Sequence, residues 1–170
     1  MAGRCRQEVA MARMRLLVLN LMGLWLLSGS LAVAATLPTS RGQLVYVPVY
    51  SHIYFGDRIK TFNLSVTLSI RNIDPKHPIE ITSVQYLDEK GKFVRELAPQ
   101  PQTVGPLAAS RFYIRESDVT GGSEAAFLIR WQAAQPVWPP LIGALMVGTS
   151  FGQGISFTTS GQVLEELPGK

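Results

Sequence analysis

Cysteine is almost missing from this 170-residue chain: the single one, Cys5, lies near the start. Beyond it no disulfide, thiolate metal site or cysteine nucleophile can form. Histidine is nearly as scarce. His52 and His77 form neither an H-x-H nor an H-E-x-x-H pair, so zinc chemistry lacks its donors. No metal or other cofactor is expected. The phosphate-cradling loops G-x-x-x-x-G-K and G-x-G-x-x-G are absent too. Charged residues reach only 16%, too few for a disordered, self-repelling chain. No segment after the leader keeps a 3.6-residue apolar period for about ten residues. The 15 Gly and 11 Pro recur too often for long helices.

The net charge of +4 does not point to nucleic acid once it is divided. Four of the 16 basic residues (Arg4, Arg6, Arg13 and Arg15) open the chain, against Glu8 alone of the 12 acidic ones. The remainder, 12 against 11, is close to neutral. The basicity belongs to the leader, and no nucleic-acid partner is expected.

That leader reads as an export signal. A basic stretch precedes the apolar run Leu16 to Leu27, followed by Ser28-Gly29-Ser30 and the small residues Ala32-Val33-Ala34-Ala35. This is the order of a secretory signal peptide over 1–35, with cleavage expected after Ala34 or Ala35. Met11 and Met14 are alternative starts to Met1. The run is shorter than the roughly 20 residues of a spanning helix, though Leu31 to Ala35 could extend it into an uncleaved inner-membrane anchor. A lipid anchor would need a cysteine at the cleavage point, and Cys5 lies before the apolar run. The expected location is periplasmic or secreted, with membrane contact only through an uncleaved signal.

The rest is organised as a short linker (36–42), one domain (43–164) and a tail (165–170). Phe62, Leu64, Val66, Leu68 and Ile70 alternate with Asn63, Ser65, Thr67, Ser69 and Arg71, the period of a strand with one buried face. Ile79 and Ile81 sit on one parity, Val84 and Tyr86 on the other, which predicts a bulge at Thr82-Ser83. Asp88-Glu89-Lys90-Gly91 reads as a hairpin loop. Arg111 to Arg115 is a short strand, Ala125 to Trp131 a central one, Leu141 to Val147 a buried one, and Ile155 to Thr159 alternates again. Pro99 to Pro106 reads as an irregular connection, and Pro136, Pro139 and Pro140 as a break. The expected fold is all-β: an antiparallel β-sandwich, immunoglobulin-like, with a small closed barrel as the alternative.

The chemistry-bearing motifs are weak. Gly148 to Gly152 fits G-x-S-x-G around Ser150, but that elbow needs a helix after it and a histidine downstream; a strand-like segment follows, and both histidines lie upstream. His52 with Asp57 is the other conceivable catalytic pair. Glu116, Asp118 and Glu124 lack the spacing of a calcium loop. His77 reads as a solvent-facing turn residue. Asn63-Leu64-Ser65 matches a glycosylation acceptor on the wet face of the strand. Trp131 and Trp138 read as core and loop anchors.

The segment from Tyr46 is the more informative one. Tyr46, Pro48, Tyr50, His52 and Tyr54 share one parity, and Val45, Val47, Val49, Ile53 and Phe55 the other. In one extended strand the aliphatic set is the core face. Tyr46, Tyr50, His52 and Tyr54 would then form an outward recognition row for a protein, peptide or carbohydrate, unless loops such as Pro99 to Pro106 cover it. Pro48 donates no ladder bond, which places the segment at an edge or a bulge.

The block Tyr46 to Tyr54 is joined in order by Leu68-Ser69-Ile70-Arg71-Asn72 with Asp74, by Gly121-Gly122-Ser123, by Gly148-Thr149, and by Gln153 to Thr158. Together they resemble the bacterial domain-of-unknown-function family thirty-one twenty-four over about Leu44 to Val163, departing from it at Glu124, where a glycine is familiar. The resemblance implies an exported bacterial protein with no assigned activity or catalytic residue. The residues themselves favour a non-catalytic binding or assembly module of the cell envelope over the alternative, a small periplasmic hydrolase.

Overall fold

The computed structural model describes residues 38–150 and 152–168; the leader and its cleavage point lie outside them. Twelve strands form: β1 (Ser40–Val49), β2 (His52–Phe55), β3 (Lys60–Asn63), β4 (Ser65–Arg71), β5 (Ile79–Leu87), β6 (Phe93–Glu96), β7 (Gln102–Val104), β8 (Ala109–Ile114), β9 (Ala125–Val137), β10 (Leu141–Ser150), β11 (Gln153–Ser160) and β12 (Gln162–Glu166). No helix long and apolar enough to cross a membrane occurs among the described residues.

The first sheet has six strands, in the order β12-β1-β9-β5-β6 with β7 also on β5, and the second has four, β11-β10-β4-β8. A separate two-stranded hairpin joins β2 to β3. Every pairing is antiparallel. Neither sheet closes on itself, so the barrel alternative falls. The inward side chains of both sheets meet in one core. Val45, Val47, Val49, Ile81, Val84, Tyr86, Phe127, Ile129 and Trp131 come from the first, and Val66, Leu68, Ile70, Ile114 and Met146 from the second. Alternation in β4 falls as its sequence dictates, with Val66, Leu68 and Ile70 fully buried and Ser65, Thr67 and Ser69 half-buried on the outside.

The phase change in β5 is a bulge, with the register shifting between Ile81 and Ser83. Its extra residue keeps Ile79 and Ile81 buried alongside Val84 and Tyr86. A bulge disturbs the ladder, and the Glu96 carboxylate fills the gap. It accepts hydrogen bonds from Ser83 Oγ (2.7 Å), the Val84 amide (2.6 Å) and the Ala98 amide (3.0 Å). Burial pushes this carboxyl up, but those donors hold it below its ordinary value.

Three expectations fail in detail. Pro136 does not break the chain, because β9 runs through it to Val137. Pro99 to Pro106 contains the short strand β7, paired with β5. β10 is not buried on both faces: Ala144 and Met146 point inward, while Leu141, Leu145 and Val147 are exposed on the outer face. An apolar run alone did not reveal that one side of it meets solvent.

Candidate functional site

The aromatic row does not lie on one strand. β1 ends at Val49, and Ser51 is buried where the chain turns away. The Ser51 hydroxyl donates to the Gly122 carbonyl (2.6 Å), and its own carbonyl accepts from the Leu64 amide (2.9 Å). This pinning divides the segment. Tyr46, Pro48 and Tyr50 stay with the sandwich and are half-buried, whereas His52 and Tyr54 belong to the β2–β3 hairpin. Tyr50 is covered by Phe157 of β11, ring against ring at 5.6 Å, and not by the Pro99 to Pro106 segment. His52 and Tyr54 pack edge-on at 5.3 Å, with Tyr54 exposed. Asp57 sits on the exposed hairpin tip.

Nor is β1 an edge strand over its length. It lies between β12 and β9, but β12 pairs only as far as Tyr46. Pro48 follows that limit, on a stretch where nothing from β12 asks for its missing N–H. Its carbonyl instead accepts from Thr159 Oγ1 at 2.6 Å.

The other motif blocks serve the frame. Asn72 and Asp74 are buried in the β4–β5 turn. Asn72 Nδ2 donates to the carbonyls of His77, Val104 and Gly105, and Asp74 Oδ1 accepts from the Lys76 and His77 amides. The Lys76 amide is the main reason that this carboxyl lies below its ordinary value. His77 faces solvent only in part: 35% of its side chain is exposed, but its Nδ1 lies buried, 3.3 Å from Asp74 Oδ1. Gly121 has no room for a side chain, since a Cβ there would lie 2.0 Å from the Tyr86 hydroxyl. That hydroxyl is buried beside Ser51 and the Gly121 backbone, and burial, then the Asp118 carboxylate, push its pKa up. Asp118 is held by Arg95 at 2.5 Å. Gly148 to Ser150 are the end of β10, Ser150 pairs with Gln153 of β11, and Gly152 takes φ 77°, so a strand and not a helix follows the motif.

A concavity lies elsewhere, on the outer face of the second sheet. It is an open groove of about 880 Å³ across β8, β4, β10 and β11. The registers define its floor. Thr67 lies between Tyr113 and Leu145, with Thr158 beyond; Ser69 lies between Arg111 and Gly143, with Ser160 beyond; Arg71 lies between Ala109 and Leu141. Gly143 keeps the floor low, since a Cβ there would lie 2.7 Å from the Thr159 carbonyl. The lining has hydroxyls, aliphatic groups and two guanidinium groups, and no carboxylate, histidine or lysine. Among the described residues the ion pairs are His77–Asp74 and Arg95–Asp118, so Arg71 and Arg111 have none. None of the aromatic row lines this groove. Only the odd residues of β4 could have signalled it, because Ser65, Thr67 and Ser69 carry hydroxyls that the core does not use.

No curated protein matches the chain. A crystal structure of Thermotoga maritima 1070 aligns with 75% of this chain and 97% of its own, at 14% identity and a TM-score of 0.43, a likeness that carries no argument. The profile of the family described as "Protein of unknown function (DUF3124)" matches residues 42–164, spanning all but the first two residues of the sandwich at one end and the last two of β12 at the other. It takes in the blocks around Ser51, Asn72, Gly122 and Gly148, and the chain belongs to this family.

Proposed function

We propose that the protein is an exported module of the bacterial cell envelope, periplasmic or secreted, that binds an extended ligand and catalyses no reaction. The export part is supported by the order of basic, apolar and small residues in the leader. An immunoglobulin-like arrangement is supported by a chain that repeatedly crosses between two antiparallel sheets.

The observation that carries the binding reading is the groove on the second sheet. It is long, open and shallow, and its lining includes no acid–base or nucleophile–base pair that could turn over a substrate. Backbone groups on its floor are spent in the ladders between strands, so recognition there falls to side chains. Thr67 is the central position of that floor. The test is retention of fractionated envelope material, polysaccharide, peptide and protein, on immobilised protein. The wild type is expected to retain one pool that a Thr67→Arg variant with unchanged melting does not. Equal retention by both would end this reading.

A further inference from the structure

We propose that the groove on the second sheet takes an acidic glycan, a chain of hydroxyl-bearing rings with carboxylate or phosphate groups; this rests on the binding reading above. The argument begins with what the groove can offer. A peptide adding to a sheet uses the free backbone groups of an edge. Here the contact surface is a face: the backbone groups of β4 and β10 are paired on both sides, and those left free on β8 and β11 point outward in the plane of the sheet, not up into the groove. A ligand lying across it meets Thr67, Ser69, Thr158 and Ser160, short hydroxyls that both donate and accept. Sugars present the matching hydroxyls.

The charge gives the second half of the match. Arg111 stands beside Ser69, and Arg71 follows two residues later on the same face, so the two cations are diagonal neighbours. Like charges so placed repel one another. No carboxylate lines the groove to neutralise them, and neither has an ion pair among the described residues. The planar fork of arginine matches carboxylate and phosphate oxygens in pairs. Tyr113, 58% exposed on the row next to Arg111, supplies a flat ring on which a sugar face can stack. Leu145, in line with Tyr113 and Thr67, adds an apolar strip. Four strands at about 4.8 Å spacing give a floor roughly 14 Å wide, room for a short run of rings rather than one.

The experiment is a titration of the protein, produced from the full chain, with four polymers at low and physiological salt. Polygalacturonate carries carboxylates on sugar rings, and a phosphomannan carries phosphates on sugar rings. Methyl-esterified polygalacturonate keeps the rings without the charge, and polyglutamate keeps the charge without the rings. Tight binding of either of the first two, at least tenfold weaker for both of the last two, is the expected result, and which of the two binds identifies the anion. An Arg71→Gln, Arg111→Gln double variant and a Tyr113→Ala variant should each lose tenfold or more in affinity with melting unchanged. Equal binding of polyglutamate, or affinity unmoved in both variants, would overturn the proposal. If a neutral polymer or peptide binds instead and Thr67→Arg blocks it, the glycan proposal is wrong while the binding reading stands. If Thr67→Arg halves the mass of the protein in solution, the face is covered by a second copy and the proposal falls.

Discussion

The outer faces of the two sheets differ in where their polar side chains spend their hydrogen bonds. On the first sheet several are spent internally, although Arg130 and Gln85 make no such pair. Gln132 donates to Glu80, Thr82 to the Arg130 carbonyl, and Ser83 and the Val84 amide to Glu96. At its β12 edge Ser40 and Gln43 both donate to Glu166. On the second sheet, Ser65 donates to the Val147 carbonyl, but Thr67, Ser69, Arg71, Arg111, Thr158 and Ser160 take no part in such pairs. A surface that satisfies itself has little left for a ligand. One that leaves donors, acceptors and two cations to water can exchange that water for a partner at small cost. The comparison locates the site better than residue type does, because tyrosines drew attention to the other sheet.

The largest effect expected is between the two faces of a single strand. Leu68 is fully buried, and Thr67 beside it lines the groove. Leu68→Ala should cost on the order of 2–5 kcal/mol in urea unfolding, and Thr67→Ala within about 0.5 kcal/mol. Similar losses at both positions would mean that the groove floor is packed by something, and would erase the difference between the sheets.

Next in size is Glu96, on the self-satisfied sheet. Its carboxyl sits below the ordinary value because three donors favour the charged form. Its stabilisation is therefore complete above the unfolded value of about 4.3 and is lost as pH falls through the folded value. Glu96→Gln should cost roughly 1–3 kcal/mol at neutral pH and flatten the fall in stability between pH 5 and acid. An unchanged acid limb would show that the bulge does not depend on this carboxylate.

Much of this contrast was legible in the sequence. The period of β4, the bulge in β5 and the turn at Gly91 are local signals, set by side-chain alternation and by the few residues that tolerate φ of 72°. The division of the Tyr46 to Tyr54 segment was not. It depends on Ser51 meeting Gly122, a contact between positions far apart in the chain. Nor could the groove be read, since its lining comes from β4, β8, β10 and β11 and exists only once their registers are fixed.

A smaller effect sharpens that division. Tyr50 packs on Phe157 and the core, whereas Tyr54 is 57% exposed. Tyr50→Ala should cost about 1–3 kcal/mol and Tyr54→Ala within about 0.5 kcal/mol by thermal unfolding. Equal costs would restore the single row that parity alone predicts.

The smallest stability effect, and the sharpest sign, belongs to the arginine pair. Most surface substitutions that remove a charge are close to neutral, because water solvates the charge as well as the protein does. Here the neighbouring charge has the same sign and no carboxylate lines the groove between them. Removing Arg111 therefore relieves repulsion and breaks no ion pair. Arg111→Gln should leave stability unchanged or raise it by a few tenths of a kcal/mol, roughly the size of one like-charge cross-strand pair. The gain should shrink as salt is added, since exposed charges are screened over about 8 Å at physiological ionic strength. The matching change on the first sheet, Glu80→Gln, removes the carboxylate that holds Gln132 at 2.5 Å and should go the other way. Parallel melts of the two variants at low and high salt read both signs at once. A loss of stability in Arg111→Gln that salt does not touch would mean that its guanidinium is already paired within the fold, and the second sheet would then be as self-satisfied as the first.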